Sequence, residues 1–174
     1  MWSTLGMVAI ASVVGGLLHL DRTAAFQMLI SRPIVSSVAM GIIFGDVKAG
    51  LTIGMVLELL WLAKQPLGTS LPPDDTIVAV AAPAGAILAG KELDVSGIPL
   101  ISFAVMIALP LSAIGKLVDA ELRRINNIFL KRARVAARAG KIEETARQNL
   151  VGLSSFFVFF TLFTMLGILS VWML

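Results

Sequence analysis

Two short apolar segments, Pro33–Phe44 and Leu51–Leu62, constrain most strongly what this chain can fold into. Each has twelve residues, whereas a helix needs roughly 20 to cross a hydrocarbon core of about 30 Å. The second segment also carries a carboxylate, Glu58. Broken helices and charges are tolerated at membrane depth only beside protein or a water-filled cavity. Paired segments of this kind therefore predict short helices around a transporter's substrate site.

The composition indicates a membrane protein. The apolar fraction is 57%, the charged fraction is 14% and the mean hydropathy is +0.92, whereas soluble domains are about 45–50% apolar and about 25% charged. We therefore predict an all-α, multi-pass membrane protein with short, broken or re-entrant helices. Three stretches are long enough to span a bilayer: Trp2–Leu20, Ile98–Ile114 and Leu150–Leu174. Ile77–Leu88, interrupted by Pro83 and Gly85, is expected to be a third short segment.

The net charge of +3 is concentrated in one region. Residues 116–149 hold nine of the fourteen Lys and Arg residues against four acidic residues. Between apolar segments, such a region is typical of a cytoplasmic loop under the positive-inside rule and does not indicate nucleic-acid binding. We predict a membrane domain with the binding site (1–115), a cytoplasmic basic helical linker (116–149) and a C-terminal transmembrane helix (150–174).

Residue usage excludes several kinds of site. The chain has no cysteine, which excludes disulfides, thiolate nucleophiles and thiolate metal sites. It has one histidine, His19, which excludes a His-rich metal site. We expect His19 to be a solvated or capped end residue without a functional role, and we expect no metal or cofactor.

Glu58 is the strongest candidate site residue. An unpaired charge near mid-bilayer costs about 2.5–3.5 kcal/mol, so the carboxylate needs a partner, a proton or water. One interpretation is that Glu58 accepts hydrogen bonds from sugar hydroxyls, with Trp61 as an apolar platform on nearly the same helix face. The other is a structural ion pair with Arg32 or Lys64, with Trp61 in the aromatic belt at the membrane interface.

A short amphipathic helix is expected over Asp21–Arg32, with Asp21 as its N-cap and Pro33 ending it. Its Gln27 and Arg32 could offer hydrogen bonds to a polyol. Alternatively, the segment is an interfacial helix whose Arg32 reaches the lipid headgroups.

Asp74 and Asp75 follow a loop rich in proline and glycine, and either residue can cap the helix expected to start at Thr76 or Ile77. Paired aspartates also occur in magnesium sites, so a membrane-embedded metal-dependent enzyme is an alternative function. No second acidic cluster accompanies these residues in the sequence, which favours a cap or a loop facing the site.

The order of four motifs, LDRTAAFQMLISRP, GIIFGDVKAGLTIG, LELLWL and PPDDT, resembles the membrane subunit IIC of the mannose/fructose/sorbose class of the phosphoenolpyruvate-dependent sugar phosphotransferase system. The resemblance implies a permease subunit in the bacterial inner membrane that translocates a hexose. It also implies a second membrane subunit, IID, and cytoplasmic IIA and IIB proteins, with IIB phosphorylating the sugar. IIC itself carries no phosphoryl group, and we expect a homo-oligomer within the larger complex.

The resemblance also implies roles for individual residues. Glu58 is then the main sugar ligand, Gln27 and Arg32 are polar groups lining the path, and Asp74 is a loop residue near the site. Members of the family usually continue through several more membrane segments, whereas here only 150–174 represents the second half. The chain is then a fragment, a naturally short member that borrows surface from IID, or a degenerate subunit, so a non-transporting assembly or regulatory subunit is an alternative to a working permease.

Overall fold

The computed structural model describes residues 4–25, 27–62 and 71–173, and all regular secondary structure in this part of the chain is helical. Four of the helices described are long and apolar enough to cross a membrane, and the helices Pro33–Phe44 and Val47–Trp61 are shorter. This confirms the predicted all-α, multi-pass fold with short helices. In chain order the helices are α1 Thr4–Thr23, α2 Pro33–Phe44, α3 Val47–Trp61, α4 Asp75–Leu93, α5 Ile98–Arg138 and α6 Ile142–Trp172.

Helix α4 lies at the centre and packs against each of the other five helices. Every residue from Thr76 to Leu88 is buried, as expected of a helix that is apolar on all sides. Gly85 allows α6 to approach closely, since a Cβ there would lie 2.4 Å from Val171 Cγ1. The expectation of a short, broken segment over 77–88 is wrong. Pro83 removes only one helical hydrogen bond, and packing on every side keeps α4 continuous.

Helices α2 and α3 form a tight hairpin against α4. Gly45 ends α2 with a φ of 80°, and Asp46 caps α3 by accepting a hydrogen bond from the Ala49 N–H at 2.9 Å. A Cβ on Gly50 would lie 2.9 Å from Gly41 Cα, so the two backbones are in direct contact. Such close backbone contact at small residues is typical of helix pairs in membranes.

Helices α5 and α6 form a second hairpin around Gly140, whose φ is 68°. The two are linked where the Asn126 side chain donates to the Gly152 carbonyl at 3.3 Å and the Ser155 hydroxyl donates to Asn126 Oδ1 at 2.8 Å. Both helices pass without a break between the apolar and the basic parts of the sequence. The division at residues 116 and 150 stays a prediction.

The end of α1 differs from the sequence-based expectations. The helix continues through Asp21 to Thr23, and the chain then turns, with a positive φ at Gln27 and Leu29. The helix predicted over Asp21–Arg32 is therefore wrong, because the Asp21 carboxylate binds backbone N–H groups further along the chain and does not cap a helix. His19, expected to be solvated, is 1% exposed.

Candidate functional site

Arg32 and Glu58 form an ion pair at the open end of the α2–α3 hairpin. Arg32 precedes the first residue of α2, and Glu58 lies in the last turn of α3, so the antiparallel hairpin brings them together. The Arg32 Nε–H donates to Glu58 Oε1 at 2.7 Å, and Nη2 donates to the same oxygen. Of the two partners predicted for Glu58, Arg32 is the one observed, while Lys64 lies outside the described residues.

The second oxygen of Glu58 binds the start of α2. The Ile34 N–H donates to Oε2 at 3.2 Å, which satisfies one of the amide groups that a helix leaves unpaired at its N-terminus. Carboxylates are stabilised at this position by the helix dipole. Glu58 thus binds both Arg32 and the start of α2, and the pair remains accessible to solvent. The side chains of Arg32 and Glu58 are 49% and 17% exposed.

Gln27 and Trp61 flank this pair in the chain. Gln27 lies in the loop that leads to Arg32, and its side chain is exposed. Trp61 follows Glu58 by three residues and packs against a core cluster that includes Leu57 of α3 and Ala108 of α5. One loop and one hairpin therefore carry four of the five residues singled out from the sequence.

Asp74 belongs to a different cluster, in which Asp74 and His19 are buried and Arg22 is partly exposed. It caps α4 by accepting from the Thr76 and Ile77 N–H groups at 3.1 and 3.3 Å, and is thus the observed one of the two caps that the sequence allows. His19 Nε2 lies 3.2 Å from its Oδ2, and Arg22 Nη1 lies 3.5 Å from Oδ1. With 0% of its side chain exposed, Asp74 cannot touch a sugar in this conformation.

The surroundings of Asp74 explain why it is enclosed. Phe160 of α6 stacks on the His19 ring with a centroid distance of 4.2 Å. Gly115 of α5 covers the carboxylate so closely that a Cβ there would lie 2.6 Å from Asp74 Cβ. Arg22 Nε also donates to Asp75 at 3.1 Å. Both aspartates are therefore paired with cations, an arrangement that favours a cap over the magnesium alternative.

Sequence reasoning missed His19. A lone histidine near the end of an apolar stretch is no signal by itself, and its partner Asp74 is 55 residues away. The one available hint is that Asp74 is a helix cap, because a buried cap needs a counter-charge. The sequence around Asp74 does not identify His19 as that partner, and only the fold brings the two residues together.

Comparisons with known proteins give the family. The family model for the sorbose-specific IIC component of the phosphotransferase system matches residues 3–172. The fructose permease IIC component of Bacillus subtilis (strain 168) is 30% identical over 112 residues, which is 64% of this chain and 39% of that protein. The mannose-specific EIIC component of Escherichia coli (strain K12) is 31% identical over 111 residues, again 64% of this chain and 39% of that protein.

A solved structure has the same fold. The cryo-electron microscopy structure of the mannose transporter ManYZ in complex with microcin E492 contains a chain that matches with a TM-score of 0.77 at 24% sequence identity. The match covers 97% of this chain and 63% of the other. The present chain thus aligns with only part of these longer relatives. Because the family model covers nearly its whole length, the chain belongs to the sorbose-specific IIC component family of the phosphotransferase system.

Proposed function

We propose that this chain acts as the membrane IIC subunit of a phosphoenolpyruvate-dependent sugar phosphotransferase system and translocates a hexose for phosphorylation by a partner IIB. The observation that carries the proposal is the partly exposed Arg32–Glu58 pair at the open end of a hairpin of short helices, in a chain of this family. Short helices that end beside polar groups are typical of substrate sites in transporters.

The chemistry of the pair suits a neutral sugar. A hexose hydroxyl can both donate and accept a hydrogen bond, and the pair offers a carboxylate that accepts and a guanidinium that donates. The two charges compensate each other, so a neutral ligand does not leave an uncompensated charge behind. In this proposal Glu58 is the main ligand, Arg32 and Gln27 are polar neighbours along the path, and Trp61 provides an apolar surface.

Asp74 has a different role in this proposal. Since it is enclosed by His19, Arg22 and Gly115, it fixes the start of α4 and supports the site from outside it. We therefore propose direct sugar contacts for Glu58 and its neighbours, and a supporting role for Asp74.

The proposed partners follow from the family. Relatives are named for fructose, mannose and sorbose, so the substrate we propose is a hexose of this group. The chain would work in the bacterial inner membrane with a IID subunit and cytoplasmic IIA and IIB proteins, as a homo-oligomer within that complex. A non-transporting assembly subunit is the second candidate, since the Arg32–Glu58 pair could also serve only as a structural ion pair.

The test is phosphoenolpyruvate-dependent uptake of labelled hexoses by cells that contain this chain with its IID, IIA and IIB partners. We expect uptake with the wild type and with the control Glu143→Gln, an exposed acid in the first turn of α6. Glu58→Gln should abolish or strongly reduce it. If the wild type gives no uptake although IID co-purifies with it, the assembly subunit becomes the better hypothesis.

A further inference from the structure

We infer that Asp21 is a positioning residue of the sugar site proposed above: its buried carboxylate holds the loop that carries Gln27 and Arg32. The inference rests on the proposed function, because it concerns the same site. Asp21 itself lies in α1 and is 2% exposed, so it does not reach the sugar.

Both oxygens of Asp21 bind the backbone of this loop. The Met28 N–H donates to Oδ1 at 2.7 Å, and the Ser31 N–H donates to Oδ2 at 3.1 Å. Hydrogen bonds to a charged acceptor are about twice as strong as neutral ones. One carboxylate therefore fixes two points of the loop, on either side of Leu29 and Ile30.

The loop needs such a hold because its backbone is strained. Gln27 and Leu29 have φ values of 52° and 64°, a region that residues other than glycine seldom occupy. Strained residues persist only where the surrounding structure fixes them, and they cluster at functional sites. The side chains of Met28, Leu29 and Ile30 are exposed and supply little packing. Among the described residues of the loop, the backbone is therefore fixed chiefly by hydrogen bonds.

The loop in turn sets the position of Arg32. The Arg32 N–H donates to the Leu29 carbonyl at 3.2 Å, and the Ser36 hydroxyl donates to the Ile30 carbonyl at 3.3 Å. Arg32 is thus fixed to the strained part of the loop immediately before it turns towards Glu58. If the loop relaxes, the guanidinium loses its alignment with the carboxylate, and Gln27 moves with it.

The first test is the variant Asp21→Asn, in which one accepting oxygen becomes an NH₂ group that cannot accept from Met28 or Ser31. Binding of labelled mannose, fructose and sorbose is measured on the full chain with its IID partner in nanodiscs, together with amide hydrogen exchange. We expect affinity to fall at least tenfold and exchange at the Met28 and Ser31 amides to accelerate. The control is Asp119→Asn, which alters a buried aspartate in a different helix, α5. It should keep the wild-type affinity.

A second pair of variants changes the backbone strain at Leu29 and leaves Asp21 unchanged. Leu29→Gly accepts a positive φ without cost, whereas Leu29→Ile does not, because its side chain is branched at Cβ. Since 67% of Leu29 is exposed, neither variant disturbs the core. We expect Leu29→Ile to weaken binding severalfold, and Leu29→Gly to restore part of the affinity lost in Asp21→Asn. A purely structural role for Asp21 would not give this rescue.

The outcomes separate this inference from the proposed function. If the wild type binds no hexose, the proposed function fails and this inference falls with it. If the wild type binds a hexose and Asp21→Asn binds it equally well, only the inference is overturned. If Asp21→Asn does not fold, the Leu29 pair decides: equal affinity of Leu29→Ile and Leu29→Gly overturns the inference.

Discussion

His19 and Asp74 join the end of α1 to the start of α4 through a contact of 3.2 Å between Nε2 and Oδ2. The other ring nitrogen, Nδ1, lies 2.8 Å from the Gly15 carbonyl oxygen, which can only accept, so Nδ1 carries a hydrogen. Asp74 in turn accepts from two N–H groups of α4. Two helices that cross the core are therefore held together by a pair whose hydrogen-bonding groups are all engaged.

Removing His19 is expected to destabilise the protein strongly. His19→Ala leaves the buried Asp74 carboxylate with Arg22 and two backbone N–H groups as partners, so the loss should lie at the lower end of the about 3–5 kcal/mol that breaking a buried pair costs. The free energy of unfolding, measured by denaturant titration in detergent micelles, should fall by about that amount. Arg124→Ala breaks an exposed pair with Glu121 and should change it by less than about 1 kcal/mol. Equal effects of the two variants would contradict the assigned role of the buried pair.

Two glycines in helices should respond to alanine with opposite signs. A Cβ at Gly50 would lie 2.5 Å from the Ser37 carbonyl oxygen, and neither backbone can move aside without opening the α2–α3 hairpin. Gly50→Ala should therefore destabilise the protein by about 1–3 kcal/mol, as expected for overpacking.

Gly152 in α6 is the matched control. A Cβ there would meet nothing closer than Asn126 Oδ1, at 4.0 Å. Since alanine favours a helix over glycine by about 0.8–1.0 kcal/mol, Gly152→Ala should be neutral or stabilising. Both variants can be compared by thermal unfolding in the same detergent, and a destabilising Gly152→Ala of similar size would refute the argument from backbone contact.

Exchanging the partners of the Arg32–Glu58 pair separates its structural role from its proposed sugar-binding role. Arg32→Glu and Glu58→Arg should each lower stability and hexose binding. The double exchange restores the ion pair but moves the carboxylate away from the Ile34 N–H, which it binds at 3.2 Å.

We expect the double variant to recover most of the stability lost in the single variants and little of the hexose binding. Stability is followed by thermal unfolding and binding by equilibrium titration with labelled hexose. Recovery of both would mean that the positions of the charges do not matter to the sugar, which contradicts direct contact.

The sequence predicts local features of this fold well. The bounds of α2 at Pro33 and Phe44 follow from a short pattern, because proline and glycine act through neighbouring atoms. The sequence also limits the cap of α4 to Asp74 or Asp75 and, if Glu58 is ion-paired, limits its partner to Arg32 or Lys64.

Features that depend on distant residues could not be predicted. Asp21 was expected to cap a helix, and only the fold places it inside α1 with its carboxylate facing the loop. His19 finds its partner 55 residues away. Pro83 and Gly85 indicate a break, yet burial on all sides holds α4 together. In each case a tertiary contact outweighs the local preference.

The two ends of the apolar part of α5 should lie on opposite sides of the membrane. The helix has 41 residues and at about 1.5 Å per residue is longer than the roughly 30 Å hydrocarbon core. Ser96 lies just before its start and Arg134 in its basic part, and both are exposed. Under the positive-inside rule the basic part faces the cytoplasm.

Cysteine labelling can test this directly, since the chain contains no cysteine of its own. In intact cells, a membrane-impermeant maleimide should label Ser96→Cys and not Arg134→Cys. In inverted vesicles the pattern should reverse, because the cytoplasmic face is then outside. Labelling of Arg134→Cys in intact cells would overturn the predicted orientation. It would also place the basic segment outside the cell, where a cytoplasmic IIB could not reach it.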